Sequence, residues 1–246
     1  MTNSPSIVID LDGVVWLAGQ PLAGVAEACA ALRGAGFHLQ FATNNSAPTN
    51  ATLRSRLETA GISCEDDDVI TAAHAAASLL APKTPVYTLG EEGLAEACAH
   101  FGLVQGPNPE AVIVGWCHDF GFTEIAEAAT AIRKGARFIA TNDDPTHPTP
   151  TGLLPGTGSL VAAIATAAEA SPEIAGKPGL AMVALIEQRC SEVALVIGDR
   201  PSTDGALARA LNRPFALVSS EATPEHDPSA AISGSSLLEV VTTFLA

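Results

Sequence analysis

The sequence predicts an α/β protein whose strands form a parallel sheet. Short apolar runs alternate with helical segments along almost all of the 246 residues, which is typical of repeated β-α-β units. Three of these runs end in polar residues, at Asp10, Thr43 and Asp199. In open α/β sheets ligands bind outside the carboxyl ends of the strands, so these residues are candidates for one site.

Composition indicates a globular protein, with 47% hydrophobic and 16% charged residues. No apolar run reaches the roughly 18 residues that a membrane span needs, and the first residues lack the pattern of a secretory signal. We therefore expect a cytoplasmic protein that does not bind membranes. The five cysteines are scattered without a C-x-x-C pair, which favours reduced thiols.

The net charge of -15, with only 12 lysines and arginines, argues against binding to nucleic acid. It also sets a condition for any small anionic ligand. The site for such a ligand must supply positive charge locally, from a metal ion, a lysine or backbone N–H groups.

The first part of the chain predicts a β-α-β unit. A strand over 7–9 leads into Asp10-Leu11-Asp12-Gly13, a helix covers 25–34, and a strand over 37–42 ends in Thr43-Asn44-Asn45-Ser46. Residues two apart on a strand share a face, so Asp10 and Asp12 could point into one pocket; the alternative is that they are turn residues. Thr43 and Asn44 could bind a ligand or cap the next helix, which we expect over 50–60.

The middle of the chain predicts a second α/β layer. We interpret Asp66-Asp67-Asp68 as solvated acidic residues of a turn, before a short strand and helix over 69–80, since acidic residues are favourable near the start of a helix. Prolines in 81–85 mark a candidate domain boundary. Beyond it we expect strands over 86–89, 111–114 and 137–141, helices over 92–101, 123–134 and 159–170, and a stiff surface loop over 142–152.

The last part of the chain returns to the pattern of the first. Lys177 lies between Gly176 and Pro178, which restrict the backbone there; a lone lysine in a loop is otherwise usually a surface charge. A helix is expected over 180–189 and an apolar strand over 193–197, ending in Gly198-Asp199. A helix-strand-helix run over 206–246 completes the predicted sheet.

Together these strand ends contain the groups that phosphoryl transfer requires: a nucleophile, a second carboxylate for proton transfer, a lysine and hydroxyl or amide donors. Carboxylates suit Mg²⁺ better than zinc. The chain contains no G-x-x-x-x-G-K-[ST], G-x-S-x-G or H-E-x-x-H motif, and the D-x-D-G segment does not fit a calcium-binding EF-hand.

The ordered set of motifs resembles the haloacid dehalogenase (HAD) superfamily, in the branch of p-nitrophenyl phosphatase-like and NagD-like phosphatases. The matching stretches are Asp10-Leu11-Asp12-Gly13-Val14, Ala42-Thr43-Asn44-Asn45-Ser46, Phe138-Ile139-Ala140-Thr141-Asn142, Leu154-Pro155-Gly156-Thr157-Gly158-Ser159, Gly176-Lys177-Pro178 and Ile197-Gly198-Asp199-Arg200-Pro201-Ser202-Thr203-Asp204. The resemblance implies a Rossmann-like HAD core over 1–82 and 176–246, with an α/β cap domain inserted over 83–175.

The resemblance also implies roles for the core residues. Asp10 would be the nucleophile that forms an aspartyl-phosphate, Asp12 the general acid and base, and Lys177 the neutralising cation. Thr43 and Asn44 would bind phosphoryl oxygens. Mg²⁺ would be held by Asp10, the backbone carbonyl of Asp12, and Asp199, with Asp204 supporting these ligands.

The resemblance implies a Mg²⁺-dependent phosphatase for a small phosphomonoester of the sugar, polyol, glycerol, glycolate or nucleoside monophosphate class. The presence of Asp12 favours a phosphatase over a dehalogenase. A phosphotransferase and a non-catalytic ligand-binding protein are the alternatives. The cap would select the substrate, with His118, Asp144 and His147 as candidate contacts, although surface or turn roles fit these three residues too. A homodimer through the cap is also compatible with the resemblance.

Overall fold

Strands and helices alternate along the chain, and the predicted α/β class is confirmed. The computed structural model describes residues 4–149, 152–219 and 224–246. The strands are β1 Ser6–Ile9, β2 Trp16–Leu17, β3 Gln20–Pro21, β4 His38–Thr43, β5 Val69–Thr71, β6 Pro85–Leu89, β7 Val104–Gln105, β8 Ala111–Val114, β9 Arg137–Ala140, β10 Thr146–Thr149, β11 Gly152–Pro155, β12 Glu173–Ile174, β13 Val193–Gly198, β14 Phe215–Val218 and β15 Ile232–Gly234. The helices are α1 Val25–Gly34, α2 Asn50–Thr59, α3 Ala72–Ser78, α4 Glu92–His100, α5 Phe122–Arg133, α6 Thr157–Ala168, α7 Leu180–Arg189, α8 Ala206–Ala210 and α9 Leu237–Leu245.

The first of two units contains the described residues up to Thr43, together with Asn50–Ile70 and Lys177–Ala246. Its six-stranded sheet has the order β15-β14-β13-β1-β4-β5. β1 pairs in parallel with both β4 and β13, and all four of its residues are buried. A run of buried residues without alternation is expected for a central parallel strand covered on both faces.

The strand order of this sheet changes direction at β1. β4 and β5 follow on one side of β1, whereas β13, β14 and β15 extend the sheet on the other side. The carboxyl ends of strands on either side of such a reversal leave a crevice, which is where ligands bind in open α/β sheets. The topology therefore points to the end of β1 as the place for a site.

The second unit contains Asn44–Thr49 and Thr71–Gly176. Its five-stranded sheet has the order β12-β9-β8-β6-β7, with every neighbouring pair parallel. Helices α5 and α6 pack against each other, and their apolar residues share a core cluster with Val112, Val114 and Phe138 of the sheet. This unit thus has a core of its own.

The unit boundaries differ from the predicted domain boundaries. Residues 71–82, assigned to the core domain from sequence, fall in the second unit because α3 packs against α4 and the guanidinium of Arg137 donates to the Leu79 carbonyl at 2.8 Å. Residues 44–49 also fall there, since the Ser46 hydroxyl accepts from the Thr141 hydroxyl at 3.1 Å. The return to the first unit comes after Gly176.

The expectation of an irregular loop over 142–152 is wrong for part of that segment. β10 and β11 form an antiparallel two-stranded hairpin. Both strands of such a hairpin are edges, where proline is tolerated, so the prolines of this segment do not prevent pairing. Residues 150 and 151 lie outside the described residues.

Other sequence predictions have simple outcomes. Asp66–Asp68 form a 3₁₀ turn, in which Asp68 accepts a hydrogen bond from the Glu65 N–H at 2.9 Å, as expected for turn charge. All five cysteines are free thiols, and Cys117 is the least buried of them. Within the described ranges, no helix has the length and apolar character needed to cross a bilayer.

Candidate active site

The registers of β1, β4 and β13 bring their polar ends together. Ile9 lies opposite Phe41 of β4 and Ile197 of β13, so the residues that follow each of them leave the sheet at the same edge. Asp10 comes next after Ile9, and its backbone N–H donates to the Ile197 carbonyl at 2.9 Å. Asp10 is buried, with a side chain that is 8% exposed.

A tight turn after β1 positions Asp12. The N–H of Gly13 donates to the Trp16 carbonyl at 2.7 Å, and Gly13 has a φ of +88°, which favours glycine. The Asp12 carboxylate accepts hydrogen bonds from Trp16 Nε1 at 3.0 Å and from Thr43 Oγ1 at 3.4 Å. The turn therefore places Asp12 beside Thr43, the last residue of β4.

Lys177 is buried among these groups, with 3% of its surface exposed. Its Nζ donates to Asp10 Oδ1, to Asp204 Oδ1 at 2.7 Å and to the Ala42 carbonyl at 2.9 Å. Burial by itself lowers the pKa of Lys177, but the charges of Asp10 and Asp204 outweigh burial and hold the pKa above its ordinary value. Lys177 is thus a charged, fixed cation and not a surface lysine.

Asp199 directly follows β13, and Asp204 lies on the short π-helical turn Pro201–Gly205. Asp204 Oδ2 accepts from the N–H of Arg200 at 3.1 Å, so both of its oxygens have donors. A Cβ on Gly198 would lie 2.2 Å from Asp204 Cβ, and one on Gly13 would lie 2.2 Å from Asp199 Oδ2. Only glycine at these two positions allows the acids to approach this closely.

Oxygens of Asp10, Asp199 and Asp204 lie within 4.8 Å of one another, close enough to hold a metal ion. Burial raises the pKa of Asp10 well above its ordinary value, opposed by Lys177 and reinforced by the neighbouring acids. Burial and then Asp204 raise the pKa of Asp199 to about 7. The cluster carries more negative charge than Lys177 offsets, which is the condition that a bound cation relieves.

The structure brings together six of the predicted site residues in the first unit: Asp10, Asp12, Thr43, Lys177, Asp199 and Asp204. The other four, Asn44, His118, Asp144 and His147, belong to the second unit. The Asn44 carbonyl accepts from Asn142 Nδ2 at 2.7 Å, and the Asp144 N–H donates to Asn142 Oδ1 at 3.1 Å.

Sequence reasoning missed the two tryptophans. In the second unit, the Trp116 ring lies 5.2 Å from that of His147 and 6.3 Å from that of His118, and its Nε1 donates to the Pro155 carbonyl at 3.0 Å. Trp16 contacts Asp12 in the first unit. The signal available in sequence was the residue type, because a buried indole usually finds an acceptor for its N–H.

Two family models match the chain. Residues 7–104 match the model described as haloacid dehalogenase-like hydrolase, and residues 174–243 match the one described as HAD-hydrolase-like.

The D-glycerol 3-phosphate phosphatase of Mycobacterium tuberculosis is 39% identical over 221 residues, and the match covers 86% of this chain but only 62% of that protein. A solved structure of the glycerol phosphate phosphatase from that organism, in complex with magnesium, aligns with a TM-score of 0.85 at 35% identity, over 96% of this chain and 76% of that one. The dihydroxyacetone phosphatase of Corynebacterium glutamicum is 36% identical over 83% of this chain and 77% of its own length. The p-nitrophenyl phosphatase of Archaeoglobus fulgidus aligns with a TM-score of 0.89 at 26% identity, over 98% of this chain and 100% of that one.

Proposed function

Because the chain belongs to the haloacid dehalogenase-like hydrolases, in the branch that contains p-nitrophenyl phosphatases and NagD, we propose that it is a phosphomonoesterase. The observation that carries the proposal is the buried contact of Lys177 with Asp10, beside the second carboxylate of Asp12. The substrate we propose is a small phosphorylated metabolite, with three-carbon polyol and ketose phosphates first, since two relatives are named for glycerol 3-phosphate and dihydroxyacetone.

In the proposed reaction, the Asp10 carboxylate attacks the phosphorus atom as the bond from phosphorus to the leaving oxygen breaks. Asp12 gives its proton to that oxygen, and the alcohol departs. Asp12 then takes a proton from water, whose oxygen attacks the aspartyl-phosphate and restores Asp10. Lys177 offsets the charge on Asp10 and on the phosphoryl group, and Thr43 and Asn44 supply donors for its oxygens.

The acids fit a magnesium ion. Carboxylate oxygens are the ligands that Mg²⁺ prefers. Burial is the main cause that raises the pKa values of Asp10 and Asp199, and the neighbouring acids raise them further. We assign Asp10, Asp199 and the carbonyl of Asp12 as the groups that would hold it. Asp204 would not bind the ion directly, because both of its oxygens already accept hydrogen bonds; it would hold Lys177 and the Arg200 backbone in place beside the ligands. When bound, Mg²⁺ supplies positive charge to the phosphoryl group.

For substrate selection, we propose the second unit as the inserted cap domain of the family, with His118, Asp144 and His147 as the candidate contacts. His118 is exposed, with its backbone N–H anchored to Glu91 Oε1 at 2.9 Å. A residue that selects the substrate should change KM for one phosphate ester more than for another when it is replaced by alanine.

The proposal is tested with purified protein, p-nitrophenyl phosphate and a panel of phosphate esters, in buffer with Mg²⁺ or EDTA. The Asp10→Asn variant should lose turnover by about 10³-fold or more and keep its fold, because only the nucleophile is removed. Asp67→Asn, which changes an exposed carboxylate of the same unit, is the matched control and should stay active. Near-normal turnover by Asp10→Asn would contradict the assignment of Asp10 as the nucleophile. Full activity in EDTA would contradict the requirement for a metal ion.

A further inference from the structure

Trp16 is buried in the core of the first unit, yet its polar atom contacts a carboxylate of the candidate site. Trp16 is 2% exposed and belongs to the same apolar cluster as residues of β1 and β4. Its Nε1 donates to Asp12 Oδ1 at 3.0 Å. None of the steps of the proposed reaction uses this residue, so the contact needs a separate explanation.

The backbone fixes this contact in place. The Trp16 N–H donates to the Leu11 carbonyl at 3.1 Å, the Trp16 carbonyl accepts from Gly13, and Asp12 forms a β-bridge with Trp16. The indole and the carboxylate are therefore joined through a short turn as well as through the hydrogen bond. A ring held by close packing cannot rotate away without disturbing the core.

The chemistry of the two groups distinguishes the Asp12 oxygens. An indole N–H donates and cannot accept, so it occupies Oδ1 without exchanging a proton. The other oxygen, Oδ2, lies 3.4 Å from the Thr43 hydroxyl, which can rotate and act as donor or acceptor. We propose that Trp16 is a positioning residue that holds Asp12 through Oδ1 and thereby makes Oδ2 the oxygen that transfers the proton. The inference rests on the proposed function.

Oδ2 of Asp12 carries the proton in both halves of the proposed reaction. In the first half of the reaction, Asp12 Oδ2–H gives its proton to the leaving oxygen, while the bond from phosphorus to Asp10 forms and the bond to the alcohol breaks. In the second half, Oδ2 accepts a proton from the attacking water, and the bond from phosphorus to Asp10 breaks. The N–H of Trp16 stays on nitrogen throughout.

The test compares two esters of similar shape in the Trp16→Phe variant, which keeps an aromatic ring and lacks the N–H. p-Nitrophenolate leaves with little help from an acid, whereas phenolate needs its proton. Trp16→Phe should therefore lower kcat/KM for phenyl phosphate about 10-fold more than for p-nitrophenyl phosphate. A loss of core packing alone would lower both values by the same factor.

Two control variants separate positioning from stability. Leu53→Val perturbs the same core cluster and should leave the ratio of the two kcat/KM values unchanged. In an Asp12→Asn background, adding Trp16→Phe should have no further effect on the ratio, because the indole acts through Asp12. An unchanged ratio in Trp16→Phe, or a full additional effect in the Asp12→Asn background, would overturn the inference.

Folding and the proposed function are checked separately. If Trp16→Phe does not fold, the benzothiophene isostere of tryptophan, which keeps the bicyclic ring and lacks the N–H, replaces Trp16. A Trp116→Phe background leaves Trp16 as the one tryptophan for the isostere to replace. The ratio of the two kcat/KM values should shift as in Trp16→Phe, with unlabelled Trp116→Phe as the reference. If the wild-type protein hydrolyses neither ester, the proposed phosphatase function fails; if it hydrolyses both and only the ratio does not move, the inference on Trp16 fails.

Discussion

Replacing Gly13 by alanine tests whether the position of Asp199 controls the proposed metal site. The new Cβ would lie 2.2 Å from Asp199 Oδ2 and 2.7 Å from its Cγ, whereas ordinary contacts begin at 3.4 Å, so the carboxylate must move by about 1.2 Å (3.4 less 2.2). The φ of +88° costs an L residue about 1–2 kcal/mol and overpacking about 1–3 kcal/mol, so we expect a loss of about 2–5 kcal/mol in stability. A displacement of about 1 Å in a catalytic group costs about 10²-fold in turnover.

The matched control is Gly36→Ala. Gly36 has a φ of +90°, close to that of Gly13, but a Cβ there would meet nothing within 4 Å. Both variants are measured by urea unfolding, by turnover of p-nitrophenyl phosphate and by the Mg²⁺ concentration that gives half of full activity. Gly13→Ala should need more Mg²⁺ and turn over more slowly than Gly36→Ala. Equal Mg²⁺ requirement and turnover in the two variants would refute the assignment of Asp199 as a metal ligand.

Two further outcomes follow from the electrostatics of the site. Lys177→Met should lower the free energy of unfolding by about 3–5 kcal/mol, because it leaves Asp10 and Asp204 buried without their cation. Lys134→Met, which removes an exposed lysine, should change it little. Equal effects of the two variants in urea unfolding would contradict a stabilising role of the buried ion pairs. Asp199 has a pKa of about 7 in the folded protein and near 3.8 in the unfolded chain. Between about pH 4 and 7 the metal-free folded protein therefore holds a proton that the unfolded chain has released, so this group makes the folded state less stable as pH rises. Mg²⁺ displaces that proton, so the increase in Tm on adding Mg²⁺ should grow between about pH 5 and 8; an increase that does not depend on pH would contradict the binding of Mg²⁺ by Asp199.

Sequence patterns predicted most strands and helices of both units, but not the β10–β11 hairpin. In the first unit, the bounds of α1 agree with the sequence prediction, and those of β1, β4 and β13 lie within one residue of it. The helix has a clear apolar period, and the strands are short, mainly apolar runs that end in polar residues. In the second unit the β10–β11 hairpin was missed, since its residues are turn formers and β11 is exposed along its whole length. An apolar period arises from burial on one face, and β11 has no buried face.

Because the protein carries a net charge of -15, a site that binds an anion must supply positive charge locally. Lys177 meets that condition in the first unit, where it contacts Asp10 and Asp204. The partner of Lys177 at position 204 was not foreseen, because the sequence places the two residues on opposite sides of a predicted helix and strand. The assignment of Asp204 as a supporting group and a homodimer through the cap both remain predictions.

What the sequence determined by itself is local. The alternation of apolar runs with helical segments predicted the α/β class. The polar residues at the ends of β1, β4 and β13 identified Asp10, Thr43 and Asp199, because strand ends in a parallel sheet meet at one edge. Tertiary structure decided the contacts between distant residues: the pairing of Lys177 with Asp204, the unit boundaries, and the direction of the Trp16 N–H toward Asp12. These depend on how buried side chains fill a shared core, which a single segment does not specify.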